Sequence, residues 1–302
     1  MNCYDEFEEY LKEQDRAETT IRGYLADLRL FAKWFQVESG EVFTARNWVS
    51  SDLRRYRERL LVQRMKPQTV NRRLAAIASF GNWAVQAGHL ESNPALHIRS
   101  VATAVLSPKW LEKKDKAALT RAAEKDVQLA RKRYPRLWVS RLRDATMLII
   151  LLNTGLRVGE LCALDVSDMQ LGERKGNLTV RSGKGQKQRL VPLNAEARIF
   201  LQQWLLYRPV VETSAIFIGQ RNERVTARSV QRAVKRLADA AGLDDVTPHM
   251  LRHTFAKSLL DSGVGIEKVA ALLGHSDLNT TRVYVTPSEG DLEEAVSRLS
   301  AT

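Results

Sequence analysis

A chain of 302 residues with 44% hydrophobic content is long enough for two folded cores and too apolar to be disordered throughout. Its 47 Lys and Arg against 35 Asp and Glu, a formal net charge of +12, point to a polyanionic partner, and nucleic acid leads. The two cysteines, Cys3 and Cys162, argue against a disulfide framework or a zinc cluster, and no apolar run reaches the roughly 18 residues of a membrane span.

The opening Met1-Asn2-Cys3-Tyr4-Asp5-Glu6 is not signal-like, so a cytoplasmic protein is expected. From Thr19-Thr20 onward, Ile21, Tyr24, Leu25, Leu28, Phe31, Ala32 and Phe35 recur at spacings of three and four, which predicts a helix. A second helix is read over 51–63, with Leu53, Tyr56, Leu60 and Leu61 inward. A third starts near Pro67 and runs through Val70, Leu74, Ile77, Phe80 and Trp83 to a stop at Gly88. Residues 1–45 hold 5 basic and 10 acidic side chains, a net of −5, whereas residues 46–73 hold 9 and 2, a net of +7. The positive charge is therefore a patch. Asn93-Pro94 breaks the pattern, and residues 1–98 read as one helical domain.

Residues 99–108 are small and aperiodic, as in an interdomain linker, and Ser107-Pro108 is expected to open the next helix. The segment 109–143 carries 12 basic and 4 acidic side chains, a net of +8, and leads into Ala145 to Leu152, apolar all round and predicted to be a buried helix. Residues 177–181 and 188–192 read as two strands around a glycine-rich turn with Lys184 at its tip. Helices are then expected over 195–207, 226–241, 248–260 and 266–273, with a short element over 279–285. The fold class is mainly α with a small antiparallel β-sheet, and residues 109–302 form the second domain.

Four polar clusters stand beside these apolar segments. In Asn153-Thr154-Gly155-Leu156-Arg157-Val158-Gly159-Glu160, an arginine opens a helix, which suits a phosphate; a plain Arg157 to Glu160 pair is the alternative. The lysine turn is the second. In Thr247-Pro248-His249-Met250-Leu251-Arg252-His253, Thr247 is a cap, His249 and Arg252 share a face, and His253 is read as a packing or hydrogen-bonding residue. The pair His249 and His253 does not make a zinc-protease helix, since Met250 stands where glutamate is required. The fourth cluster runs from Leu272 through Gly274 and His275 to Tyr284.

Two arginines, a lysine, two histidines and a tyrosine suit metal-free transesterification at a phosphodiester. That reaction needs a nucleophile, cations on the non-bridging oxygens and a proton for the leaving oxygen. Arg157 and Arg252 are the expected phosphate clamp, because guanidinium donates two parallel hydrogen bonds and stays charged. Tyr284 is the nucleophile; its hydroxyl, with an ordinary pKa of about 10, needs help to lose its proton, and His249 is the candidate helper. Lys184 would protonate the departing 5′-oxygen and His275 would hydrogen-bond the phosphate. Neither cofactor nor metal is required.

Thr-Gly-Leu-Arg157-x-Gly-Glu-Leu, Gly-Lys184-Gly, His249-x-x-Arg252-His, Leu-Gly-His275 and Tyr284 together closely resemble the tyrosine recombinase, or phage integrase, family, most like its Xer-like and transposon-encoded members. The resemblance implies a two-domain DNA clamp, with a helical core-binding domain joined to a mixed α/β catalytic domain. It also implies catalytic roles for Arg157, Lys184, His249, Arg252, His275 and Tyr284, and a structural role for Glu160. A 3′-phosphotyrosyl linkage, a Holliday-junction intermediate and a homotetramer on two double-stranded DNA sites, with possible accessory proteins, are further implications.

Beyond the site, Lys66, Arg72 and Arg73 at the start of the third helix are expected to contact DNA. Arg228, Arg232 and Lys235, with Arg236, form a second candidate face opposite Val230, Val234 and Leu237. Residues 285–302 carry 4 acidic and 1 basic side chain, a net of −3, with Leu292, Ala295 and Leu299 at helical spacing, and the family resemblance implies that this helix packs on a neighbouring subunit. The competing functions are a type IB topoisomerase-like enzyme and a DNA-binding regulator with an idle site. Attack within one subunit or on a neighbour's DNA is open at this level.

Overall fold

The computed structural model describes residues 3–103, 108–181, 188–275 and 277–284. The chain divides into two compact units, Met1–Leu106 and Ser107–Thr302.

The first unit is built from α1 (Cys3–Glu13), α2 (Glu18–Ser39), α3 (Ser50–Val62) and α4 (Pro67–Gln86). Its core is aromatic: Phe31 meets Phe43, Trp48 and Tyr56 edge-on with ring centroids 5.1–6.0 Å apart, and Phe7 meets Phe80 at 5.3 Å. The expected stripe of α2 is the buried one at Ile21, Leu25, Leu28, Phe31 and Phe35, while Trp34 joins it and Tyr24 and Ala32 stand at its margin. Helix α1 is an addition to the sequence reading. Its apolar signal is thin because Phe7 and Leu11, one turn apart, are its two fully buried side chains amid acids.

The second unit is centred on α6 (Trp138–Thr154), in which every residue from Ala145 to Leu152 is buried. Each large apolar side chain in that run contributes roughly 1.5–3 kcal/mol of burial free energy. Helices α5 (Lys113–Arg133), α8 (Ala195–Tyr207), α9 (Ala227–Ala240) and α10 (Pro248–Asp261) pack around it. Between α7 (Val158–Ala163) and α8 lies a three-stranded antiparallel sheet in the order β1 (Met169–Leu171), β2 (Gly176–Arg181), β3 (Gln188–Pro192). Met169 pairs with Leu178, and Asn177 with Pro192. Strand β1 was not anticipated; three residues are too few to display a period. Two short helices, α11 (Ile266–Leu273) and α12 (Asn279–Arg282), follow α10.

One boundary differs from expectation. The helix predicted to open at Ser107-Pro108 begins at Lys113, because the Leu111 amide donates to Thr254 Oγ1 at 2.9 Å and Leu111 itself is drawn into the core. A backbone amide engaged by a distant side chain cannot serve a helical turn. The turn carrying Lys184 and the C-terminal helix expected after Tyr284 lie outside the described residues.

Candidate active site

Helix α6 stops at Gly155, whose φ of +62° is left-handed and whose Cα faces the Phe255 ring so closely that an added Cβ would lie 2.4 Å from it. The turn delivers Arg157 to the N-cap of α7, where Glu160 accepts the Arg157 amide at 2.8 Å, half of a capping box. The same carboxylate accepts from Arg157 Nη1 at 2.9 Å, and Arg157 remains half-exposed. Arg157 is therefore paired with Glu160, the plainer of its two expected readings, and about half of its side chain stays accessible.

Helix α10 starts at the Thr247 hydroxyl, which accepts from the Met250 amide at 3.2 Å, with Pro248 in the first turn. One turn on, Arg252 is only 2% exposed. It donates through Nη1 to the Gly155 carbonyl at 2.7 Å, and through Nη2 to the Leu273 carbonyl and to His275 Nε2, both at 2.8 Å. Because guanidinium only donates, His275 Nε2 must be the bare nitrogen. The proton then sits on Nδ1, which donates to Thr281 Oγ1 at 2.8 Å. Arg252 thus fixes both the place and the tautomer of His275.

Tyr284 is buried, 4% exposed, against Ala256, Val269 and Leu273. Its hydroxyl lies 2.6 Å from Nδ1 of His253. His249, the expected helper, instead packs edge-on against the His253 ring with centroids 4.2 Å apart. Residue spacing could not distinguish the two rings, since they lie one turn apart on the same face of α10. The structure thus brings Arg157, His249, Arg252, His275 and Tyr284 into one cluster, while Lys184 lies outside the described residues.

The site is strongly electropositive. Burial and the neighbouring Arg157 guanidinium lower the Arg252 pKa to about 10, so it stays charged at neutral pH. Burial first, and then Arg252, push His275 down to about 4; burial, His249 and Arg252 do the same to His253, to about 4. Burial, then Arg252 and Arg157, lower His249 as well. Burial raises the Tyr284 pKa against the opposing pull of Arg252 and Arg157, so its hydroxyl rests as a neutral phenol. Among the described residues no group of side chains suits a metal ion.

These histidines carry a stability signature. Folded, His253 and His275 stay neutral to about pH 4; unfolded, they bind protons near the ordinary 6.5. The unfolded chain then holds more protons between those values, so stability is intact above pH 6.5 and is lost as pH falls toward 4. The melting temperature should drop across that window, with a shallower slope in His253→Gln; equal slopes would remove His253 from the account.

Sequence reasoning passed over Arg189 on β3, which donates to both Glu160 oxygens at 2.8 and 3.0 Å and through Nε to the Leu272 carbonyl at 2.9 Å. A signal was present: on β3 the inward register holds Arg189 and Val191 while Leu190 points out, 62% exposed. The outlying cations divide. Lys66, Arg72, Arg228, Arg232 and Lys235 are exposed. Arg73 differs from them: its side chain is 15% exposed, with Nη1 donating to Tyr56 Oη at 3.4 Å and Nε 3.9 Å from the buried Asp27. Arg72 also pairs with Asp27, though from an exposed position. Arg236 is held by Asp126 at 2.8 Å and Asp144 at 3.1 Å.

Comparison with known proteins adds independent findings. Residues 109–290 match the model of the phage integrase family, and residues 4–88 that of the phage integrase N-terminal SAM-like domain. The chain is 34% identical to tyrosine recombinase XerC of Corynebacterium glutamicum, across 94% of this chain and 86% of that one. It is 35% identical to XerC of Mycobacterium tuberculosis, across 98% and 95%. Among solved structures, XerH recombinase bound to palindromic difH substrate shares the fold with a TM-score of 0.76 at 23% identity, covering 97% of this chain and 84% of that one. A lambda integrase dimer bound to a core site gives 0.67 at 18%, covering 93% and 75%.

Proposed function

Since the chain belongs to the phage integrase family, we propose that it is a site-specific DNA recombinase in which Tyr284 attacks a backbone phosphate and is left joined to the 3′ end. The observation that carries this reading is the position of Arg252: buried, charged, bonded to His275 and within electrostatic reach of both Arg157 and Tyr284. Three guanidiniums, Arg157, Arg189 and Arg252, surround one carboxylate, Glu160, leaving two positive charges to meet the charge that builds on a five-coordinate phosphorus.

In the proposed reaction, Arg157 and Arg252 hold the non-bridging oxygens, and His275 hydrogen-bonds the phosphate from Nε2 after the ring proton has moved there from Nδ1 and Nε2 has let go of Arg252. Tyr284 gives up its proton as the P–O bond forms, and neutral His253, bonded to the hydroxyl, is placed to receive it, with His249 packed behind. Lys184 protonates the leaving 5′-oxygen. The ester conserves bond energy, so reversal by another 5′-hydroxyl rejoins the strand without ATP. That Tyr284 is bonded to a histidine of its own chain favours attack within one subunit. Exposed Lys66, Arg72, Arg228, Arg232 and Lys235 would contact phosphates or bases of the duplex, in a homotetramer on two sites. The nucleoid would be its working location.

Incubating the protein with fragmented genomic DNA and recovering protein-linked ends tests the reading: linkage at one discrete sequence is expected. Linkage at scattered positions with relaxation of supercoils indicates a topoisomerase, and binding without linkage a regulator. For Lys184→Ala, a substrate with sulfur in place of the 5′-oxygen should restore cleavage, because a thiolate leaves without protonation. Failure of that rescue removes Lys184 as the acid.

A further inference from the structure

We propose that Arg189 is a positioning residue of the reaction: it neutralises Glu160, so that the Arg157 guanidinium can leave that carboxylate for the scissile phosphate. The inference rests on the recombinase reading above. It starts from a sharing problem. Glu160 Oε1 accepts from Arg157 Nη1 at 2.9 Å and Arg189 Nη1 at 3.0 Å, while Oε2 accepts from the Arg157 amide and Arg189 Nη2, both at 2.8 Å. Arg252 Nη1 stands 3.9 Å from Oε2.

Of the two arginines hydrogen-bonded to this carboxylate, Arg157 is 49% exposed and Arg189 only 16%. The buried, two-pronged partner holds the charge, and the exposed partner is the one a phosphate can reach. Without Arg189, Glu160 would be an unmatched anion at the edge of a phosphate site. It would keep Arg157 for itself and oppose the negative charge that builds on the phosphate during the reaction. The depressed pKa of Glu160, in which Arg189 is the largest opposing influence to burial, agrees with this division.

The fold reserves space for the arrangement. Gly274, at φ +67° after α11, lies under the Arg189 guanidinium, and an added Cβ there would stand 2.8 Å from Nη1. Arg189 Nε meanwhile donates to the Leu272 carbonyl at 2.9 Å, tying β3 to the turn that presents His275. One side chain therefore links the strand following Lys184, the acid beside Arg157 and the approach to His275.

The test is single-turnover cleavage by the full chain of a nicked duplex carrying the mapped site, so that the released fragment traps the covalent product. Arg189→Ala should slow cleavage about 100-fold, with little change in the protein concentration giving half-saturation. Adding Glu160→Gln to that variant should recover about tenfold, because the stranded charge is gone. Arg189→Lys, which keeps the charge and loses the fork, should lie between, and melting curves on all variants identify any that do not fold. A merely structural arginine predicts the opposite sign: the double variant no faster than Arg189→Ala. That result, or Arg189→Lys matching Arg189→Ala with an unfolded Ala variant, overturns the inference while wild-type cleavage leaves the recombinase reading intact. No adduct from the wild type overturns both.

Discussion

Replacing Tyr284 with phenylalanine is expected to abolish covalent attachment to DNA while leaving noncovalent binding and the fold in place. The ring packs among Ala256, Val269 and Leu273, contacts that phenylalanine keeps. What is lost is one hydroxyl and its 2.6 Å bond to His253, a net cost to stability of about 0.5–1.5 kcal/mol. Tyr284 reaches the cluster through His253, to which its hydroxyl is hydrogen-bonded. Residual adduct in Tyr284→Phe, above a trace, contradicts the assignment of the nucleophile.

The second large effect is at Arg252, and here burial changes what the sequence alone suggested. A clamp residue read from sequence should lose cleavage and nothing else when truncated. At 2% exposure, however, Arg252 satisfies the Gly155 and Leu273 carbonyls, which are otherwise the ends of α6 and α11. Arg252→Ala should reduce cleavage at least 100- to 1,000-fold, roughly what one preorganised donor is worth. It should also destabilise the protein by about 1–3 kcal/mol for each carbonyl left unpaired. Arg157→Ala is the control: half-exposed, it should cost comparable activity with a stability change within about 0.5 kcal/mol. Equal melting temperatures for the two variants would show that Arg252 is not the structural tie proposed here.

The contrast between these arginines marks what sequence reveals. The helices were legible because burial imposes spacings of three and four, as on α2, or an unbroken apolar run, as on α6, although Tyr24 and Ala32 are only partly buried and Leu61 of α3, expected to face inward, is exposed. The site turns were legible because a phosphate site needs glycine turns and cations together, at Gly155 with Arg157 and at Gly274 with His275. What stayed hidden depends on long-range partners. Arg189 looked like one more strand residue until Glu160, 29 positions away, arrived beneath it. His249 and His253 were interchangeable on a helical wheel until Tyr284 came to rest on one of them. Arg73 resembled its exposed neighbours until Asp27, buried on α2, drew it inward. Charge counts report how many cations a segment carries, and only packing decides which of them face solvent.

Identification of the residue that becomes linked to DNA tests the central claim most directly. The adduct trapped on the nicked duplex is digested with protease and nuclease, and the modified peptide is sequenced by mass spectrometry. The account predicts a nucleotide 3′-phosphate esterified to the Tyr284 oxygen. Linkage to another residue, or to the 5′ side of the break, would contradict it.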